Sequence, residues 1–254
     1  GYFLRGLIGV KVGGKDVEAT YGLSGNSLVV ELPRRVTRDS VEVRFRTRVF
    51  RNPSVFRARV EDWPDIGFRG WHLSGPHKGF LDRHRAFLRA LARLKFNAVI
   101  YQAESCIKTD SHPEVAGRLA CSKEEARALV EFCRRRGIEA IPHIQCWSHC
   151  GWLLRAHPEL DEGRGTKKRQ LYDWCPRNPE VYRILDDMVR EFIEVFRPRR
   201  FFSLGMDEIQ FAGEREPVGL CPRCRGTDLT ELLAEGIERT CDVVRKYGLR
   251  PMMW

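Results

Sequence analysis

The chain has 254 residues, of which 43% are hydrophobic, and its formal net charge at pH 7 is +10. This length allows one large hydrophobic core, or a moderate core with a small accessory domain, and no apolar run approaches the roughly 20 residues that a membrane-spanning helix needs. The basic residues are spread along the chain instead of forming one patch, so we predict neither nucleic-acid nor membrane binding.

The chain begins at Gly1 without a Met and stops at Trp254 within an apolar run. We therefore expect that both ends were cut from a longer protein and that targeting segments are missing for this reason. The sequence leaves the cellular location, cytoplasmic or exported, and the oligomeric state open.

Residues 1–60 alternate polar and apolar residues in short runs that are separated by turn-forming residues such as Gly13-Gly14. A period of two is typical of strands with one buried face. The segment 61–65, Glu-Asp-Trp-Pro-Asp, interrupts this alternation. We predict a small, partial β-rich accessory domain over residues 1–60, followed by a second domain over residues 61–254.

From Phe68 onward, apolar strands alternate with amphipathic helices. Strands are predicted near 68–73, 96–102, 138–145, 200–206 and 249–254. This alternation indicates parallel strands joined by helical crossovers. The predicted fold class is α/β, as a (β/α)8 TIM barrel truncated after about five strands and preceded by the partial β domain. A doubly wound open sheet is the alternative, but no Gly-rich phosphate loop follows the first strand.

In either architecture the active site lies at the carboxyl ends of the strands, and Asp207-Glu208 directly follows the apolar strand 201–206. Acidic pairs also occur elsewhere in the chain, so the pair alone is not specific. At a strand end, burial and mutual repulsion are expected to raise the pKa of one carboxyl group, which would make it a general acid. The alternative is a pair that forms salt bridges with nearby arginines.

Six short motifs of this chain resemble those of the β-N-acetylhexosaminidases of glycoside hydrolase family 20, in the same order. They are Phe-Arg-Gly at 68–70, Leu-Lys-Phe-Asn at 94–97, Arg-Gly-Ile-Glu-Ala-Ile-Pro at 136–142, Ser-His at 148–149, Pro-Glu-Leu at 158–160 and Gly-Met-Asp-Glu at 205–208. The resemblance runs from about Asp65 to Trp254. The stretch Ile-Gln-Cys-Trp-Ser-His and the motif Gly-Met-Asp-Glu are most similar to the compact bacterial exo-hexosaminidase subgroup.

The resemblance implies a glycoside hydrolase that removes terminal β-linked N-acetylglucosamine or N-acetylgalactosamine. In this family the 2-acetamido oxygen of the substrate attacks the anomeric carbon, and the enzyme supplies no nucleophile. Glu208 would be the general acid and base, and Asp207 would orient the acetamido group. The implied partner is a carbohydrate, with no metal or organic cofactor in the chemistry. The alternative is a catalytically inactive, carbohydrate-binding relative of the same fold.

The resemblance also implies four substrate-binding positions. Arg69 would donate to sugar hydroxyl groups, although a structural salt bridge is the alternative. Trp254 would form an aromatic wall against the N-acetyl methyl group and the ring face. His149 and Glu104 together would form a network that tunes Glu208.

The chain contains nine cysteines. Cys221-Pro-Arg-Cys224 resembles half of a zinc knuckle, and Cys106, Cys121 and Cys175 lie in other loops on the same predicted face. Their spacing does not require a metal. A structural zinc ion, a disulfide and free thiols all stay open, and we assign no metal ligand from the sequence.

Overall fold

The computed structural model describes residues 4–17, 20–24, 27–31, 41–47, 54–58, 64–164, 171–209 and 221–254. The chain forms two compact units: Gly1–Arg69 with Phe87–Asn97, and Gly70–Ala86 with Ala98–Trp254. No helix among the described residues is both long enough and apolar enough to cross a membrane.

The first unit contains six described strands in the segment where the alternation predicted them. They are β1 (Leu4–Val12), β2 (Lys15–Val17), β3 (Thr20–Ser24), β4 (Ser27–Glu31), β5 (Val41–Thr47) and β6 (Ser54–Ala58). They form an antiparallel sheet of order β2-β1-β5-β6 and a separate β3-β4 hairpin. Gly13 and Gly14, at φ 56° and 80°, join β1 to β2, because a two-residue hairpin turn of this type needs positive φ at both positions.

The predicted domain boundary between residues 60 and 61 lies outside the described residues. The division into an accessory domain over 1–60 and a barrel domain over 61–254 therefore stays a prediction.

The second unit is built on five strands and the helices between them. In chain order the elements are β7 (Gly70–Ser74), α1 (Leu81–Arg93, whose second half belongs to the first unit), β8 (Ala98–Gln102), α2 (Lys123–Arg134), β9 (Glu139–Cys146), α3 (Gly151–Leu154), α4 (Pro179–Phe196), β10 (Phe201–Gly205), α5 (Leu229–Arg245) and β11 (Arg250–Met252). Short 3-10 turns cover Pro113–Val115 and Pro158–Leu160.

All four strand pairings in this sheet are parallel, and the strand order β11-β10-β9-β8-β7 follows the chain without a reversal. A doubly wound sheet reverses its strand order at a switch point, whereas a (β/α)8 barrel adds each strand beside the last. The sheet therefore has the topology of the first five strands of a TIM barrel, and the predicted fold class is confirmed.

Local sequence explains where the helices begin. Ser122 Oγ accepts from the Glu125 N–H at 3.2 Å, and the Glu125 carboxylate accepts from the Ser122 N–H at 2.8 Å, which is the predicted capping box at the start of α2. Asn178 caps α4 ahead of Pro179, also as predicted. These contacts satisfy main-chain N–H groups that a helix start leaves without partners.

One face of the sheet changes from apolar to polar along the strands. Near the amino ends its side chains form a hydrophobic cluster of Ala98, Ile100 and Ile141 with Phe201 and Met252. Because side chains two positions apart in a strand point to the same side, His143 and Gln145 of β9 continue the face of Ile141 toward the carboxyl end. The sequence thus places polar groups at the edge where a barrel carries its active site.

Gly236 is expected to resist substitution although it lies inside α5. Alanine in place of glycine normally stabilises a helix by about 1 kcal/mol, but a Cβ here would overlap the ring of the fully buried Trp147. Overpacking costs about 1–3 kcal/mol, and overlap with two atoms of a buried ring at once places this substitution in the upper part of that range. We predict that Gly236→Ala lowers the free energy of unfolding by about 1–2 kcal/mol in denaturant titrations.

Gly67→Ala is the matched control, because a Cβ at Gly67 meets open space. Its free energy of unfolding should change by no more than about 0.5 kcal/mol. Equal effects of the two substitutions would contradict the predicted role of the Gly236 and Trp147 contact.

Candidate active site

A chain of hydrogen bonds runs along the polar inner face of the sheet to Asp207. His143 Nδ1 lies 2.8 Å from Ser203 Oγ, and His143 Nε2 lies 2.9 Å from Gln145 Oε1. The Gln145 Nε2 amide donates to Asp207 Oδ1 at 2.5 Å. Ser203, His143 and Gln145 are all buried, so each depends on these protein partners in place of water.

The chemistry of the groups gives this chain a direction. Because Gln145 donates through Nε2 to a carboxylate, its Oε1 is the acceptor for His143 Nε2–H, and His143 Nδ1 then accepts from the Ser203 hydroxyl. Such an imidazole is neutral. Burial lowers the pKa of His143 to about 4, which agrees with the neutral form near pH 7.

The backbone around Asp207 adopts conformations that most residues avoid. Gly205, Met206 and Glu208 have φ values of 66°, 72° and 53°, and for the two non-glycine residues this left-handed region costs on the order of 1 kcal/mol each. A Cβ at Gly205 would overlap the Gln145 side-chain amide. Glycine is therefore required for Gln145 to approach the end of β10.

Two side chains from the segment after β9 flank Glu208. His149 Nε2 lies 3.2 Å from Glu208 Oε2 and 3.7 Å from Asp207 Oδ2. Tyr172 Oη lies 2.8 Å from His149 Nε2 and donates to Glu208 Oε2 at 3.4 Å. The hydroxyl group of Ser148 donates to the main-chain carbonyl of Asp207. The loops after β9 and β10 are thus joined around the carboxylate pair.

The two carboxylates differ in their exposure to solvent. The side chain of Asp207 is 39% exposed, and that of Glu208 is 73% exposed. The burial that the sequence led us to expect for the pair is therefore absent at Glu208. Within the described ranges, the basic side chain in contact with these carboxylates is the imidazole of His149, and no arginine pairs with them.

Comparison with known proteins identifies the family of this chain. The sequence model described as "Glycosyl hydrolase family 20, catalytic domain" matches residues 92–254, which is more than half of the chain. The chain belongs to glycoside hydrolase family 20. The predicted resemblance is confirmed at this level, whereas the placement in the compact bacterial subgroup stays a prediction.

Relatives of this family 20 chain include two bacterial proteins named β-hexosaminidase. The one from Akkermansia muciniphila is 28% identical, over 52% of this chain and 29% of its own length. The one from Porphyromonas gingivalis is 25% identical, over 100% of this chain and 35% of its own length. The chain therefore spans about a third of the curated relatives that it matches.

Solved structures share the fold. A mutant Streptomyces plicatus β-hexosaminidase, in complex with GlcNAc as product, matches 81% of this chain and 42% of its own with a TM-score of 0.62. The sequence identity in this match is 20%, so the similarity supports the barrel fold.

The structure brings three of the predicted site residues of this family 20 chain into one cluster: Asp207, Glu208 and His149. Trp254 lies close by. Its main-chain N–H donates to the Gly205 carbonyl at 3.0 Å, and its ring centroid lies 5.5 Å from that of His72. The role of Trp254 toward substrate stays a prediction.

Glu104 and Arg69 have other partners. Glu104 is buried and accepts from Gln102 Nε2 at 2.8 Å, and burial raises its pKa to about 7. Among the described residues it forms no hydrogen bond with His149. Arg69 directly precedes β7 and belongs to the first unit. Its guanidinium group donates to the main-chain carbonyls of Lys95, Ile66 and Gly67. The roles of both residues toward substrate stay predictions.

The site residues predicted from the sequence did not include His143, Gln145 or Tyr172. The first two could have been found, because polar residues two apart in an otherwise apolar strand share one face. Tyr172 gave no such indication. It lies in an irregular segment, where no periodicity predicts the direction of a side chain.

The buried His143 is expected to make stability dependent on pH. Its pKa of about 4 in the folded protein lies below the ordinary value of 6.5. Between pH 4 and pH 6.5 this histidine therefore binds a proton preferentially in the unfolded chain. The stabilisation is complete above pH 6.5 and is lost as the pH falls toward 4, by on the order of 3 kcal/mol in total. Free energies of unfolding measured across this range should show the decrease.

The neutral variant His143→Gln separates this group from other titrating residues. Its free energy of unfolding should fall less steeply with acidification than that of the wild type. If the free energies of unfolding of the two proteins differ by the same amount at about pH 4.5 and at about pH 7, the assigned role of His143 is wrong.

Proposed function

We propose that the full-length protein is a β-N-acetylhexosaminidase that removes terminal β-linked N-acetylglucosamine or N-acetylgalactosamine by substrate-assisted, retaining hydrolysis. The observation that carries this proposal is the adjacent pair Asp207 and Glu208 at the carboxyl end of β10 in a family 20 chain. The Streptomyces structure with bound GlcNAc supports the class of sugar.

Substrate assistance requires a group that aligns the 2-acetamido group, and Asp207 has the surroundings for that task. The bond from Gln145 holds Asp207 Oδ1 in place, and Oδ2 is 3.7 Å from His149. A carboxylate fixed in this way can accept a hydrogen bond from the acetamido N–H, and its negative charge stabilises the oxazolinium ion that forms. Gln145 is thus a positioning residue for Asp207.

The general acid and base must reach the glycosidic oxygen, and Glu208 is the carboxyl group with the more exposed side chain. It would protonate the leaving oxygen first and then deprotonate the attacking water. Contacts with His149 and Tyr172 restrict the carboxyl group to the site. Adjacent positions suit this division of roles, because both carboxylates must reach one region of a single sugar ring.

Four further roles belong to the proposal. Trp254 would stack on the sugar, since its main chain is bonded to Gly205 at the end of β10. In the described part of the chain, the bonds of Arg69 engage Nε and Nη1 and leave Nη2 for a sugar hydroxyl group. Glu104 and His149 would adjust the acidity of Glu208. His149 contacts Glu208 directly, whereas Glu104 would act through other residues.

The test of the catalytic pair is hydrolysis of aryl N-acetyl-β-glucosaminides and galactosaminides by the full-length protein. We predict that Glu208→Gln and Asp207→Asn each lower kcat/KM by about 10²-fold or more. Glu208→Gln should lose least on substrates with acidic phenol leaving groups, because these depart with little help from an acid. Asp207→Asn should lose activity with every leaving group.

Glu194→Gln is the matched control, since Glu194 is an exposed carboxylate in the last turn of α4, and its activity should equal that of the wild type. A wild type that binds N-acetylhexosamines without turnover would favour the inactive carbohydrate-binding relative instead. Full activity in both catalytic variants would show that the catalytic pair lies elsewhere.

The positioning role of Gln145 is tested by a double-mutant cycle. We predict that Gln145→Leu lowers kcat by about 10-fold or more, and that it causes little further loss in an Asp207→Asn background. This non-additivity follows if Gln145 acts through Asp207. Independent losses that multiply in the double variant would instead indicate a general structural role.

A further inference from the structure

A second cluster of chemically reactive side chains lies outside the carboxylate site. The ligand atoms of Glu162, Cys175, Cys221 and Cys224 all lie within 4.8 Å of one another, and the four residues are buried. Cys175 Sγ is 3.3 Å from Cys221 Sγ and 3.6 Å from Cys224 Sγ. Three separate chain segments therefore contribute to one compact, buried group.

Main-chain hydrogen bonds give the cluster its geometry. The N–H groups of Cys224 and Arg225 both donate to the Cys221 carbonyl, at 3.1 and 3.0 Å. This tight turn brings both thiols of the Cys-Pro-Arg-Cys segment to one side. The Cys221 N–H donates to Glu162 Oε1 at 3.1 Å, and the Cys175 N–H donates to the Leu160 carbonyl at 2.8 Å. These hydrogen bonds hold the segments that carry the four ligands together.

The sulfur distances are those of neither a disulfide nor unrelated thiols. A covalent S–S bond is about 2.05 Å long. Around a tetrahedral zinc ion with Zn–S bonds of about 2.3 Å, sulfur atoms are separated by about 3.8 Å. The observed separations of 3.3 and 3.6 Å are close to the latter value.

We propose that Glu162, Cys175, Cys221 and Cys224 bind one Zn²⁺ ion in a closed, four-coordinate structural site. Thiolates select zinc over the hard ions Mg²⁺ and Ca²⁺, and carboxylate oxygen is also a zinc ligand. Four protein ligands leave no position for water or substrate, so the ion is structural. Cys175 and Glu162 complete the half knuckle of the sequence, whereas Cys106 and Cys121 do not join the cluster.

The position of the cluster indicates what the ion would stabilise. Tyr172, which contacts His149 and Glu208, lies three residues before Cys175. The Glu162 N–H donates to the Asp173 carbonyl at 2.9 Å beside it. Cys221 and Cys224 lie between β10 and α5, in the connection that Asp207 and Glu208 begin. One ion would therefore fix both loops that form the carboxylate site.

Another group with metal-ligand chemistry, His112, Glu114 and His157, does not support a site of this kind. Each of its contacts is explained as a hydrogen bond between side chains. Glu114 Oε1 lies 3.0 Å from both His112 Nδ1 and His157 Nε2, and the other ring nitrogen of His112 lies 3.3 Å from Asp187 Oδ2. Two of its three members are also outside the buried core.

The first test is the metal content of the full-length protein, purified without metal-affinity steps. We predict about one zinc ion per chain in the wild type and its loss in Cys221→Ser, Cys224→Ser and Glu162→Gln. Cys133→Ser is the matched control, because Cys133 is a buried cysteine in α2 outside the cluster, and it should keep the ion. A wild type that has no zinc and does not take up added zinc overturns the proposal.

Thiol titration of the unfolded protein in chelator separates zinc from a disulfide. With zinc, Cys221→Ser lowers the number of reactive thiols by one. With a disulfide between Cys221 and Cys224, the same substitution releases Cys224 and raises the number by one, which would also overturn the proposal. Both readouts are independent of hydrolysis, so they stand or fall separately from the proposed function.

If these variants fail to fold, the site is tested by exchange of its metal ion in the wild-type protein. Co²⁺ in the site should give thiolate-to-cobalt charge-transfer absorption and the visible bands of a tetrahedral ion. Removal of the metal by a chelator should lower the melting temperature, and added Zn²⁺ should restore it. Cobalt bound without thiolate absorption, or a melting temperature unchanged by chelation, contradicts a buried thiolate site.

Discussion

The hydrogen-bond chain from Ser203 through His143 and Gln145 to Asp207 is the constraint on which the rest of the site depends. Each buried member has a protein partner, and removal of one partner would leave another buried polar group unsatisfied, which costs about 1–3 kcal/mol. The chain also requires a glycine at position 205, because any side chain there would overlap the Gln145 amide. One polar network therefore restricts both the sequence and the backbone of β10.

The same network explains how one sheet combines stability with a polar site. Its inner face is apolar near the amino ends of the strands, where Ala98, Ile100 and Ile141 pack together. Toward the carboxyl ends the same face carries His143, Gln145 and Asp207. Apolar burial stabilises one end of the face, and fully paired polar groups can then occupy the other end.

The loops after β9 and β10 depend on each other. Ser148 and His149 contact the Asp207 and Glu208 segment directly, and Tyr172 extends this contact. The strained backbone of Met206 and Glu208 persists because these contacts determine its geometry. The buried thiols of Cys175 and Cys221 join the same two loops at a second point. Two independent contacts therefore restrain the surface on which the carboxylates lie.

Local patterns in the sequence determined the parallel α/β architecture, the helix caps at Ser122 and Asn178, and the position of Asp207 and Glu208 after an apolar strand. Periodicity, capping and the order of short motifs act over a few residues, so a sequence reveals them. Only the tertiary structure decided which distant groups meet. His143 and Ser203 are sixty positions apart and pair because β9 and β10 align them. The cluster of Glu162 with three cysteines likewise depends on strand register and on the packing of irregular loops. No periodic pattern in the sequence specifies either of these.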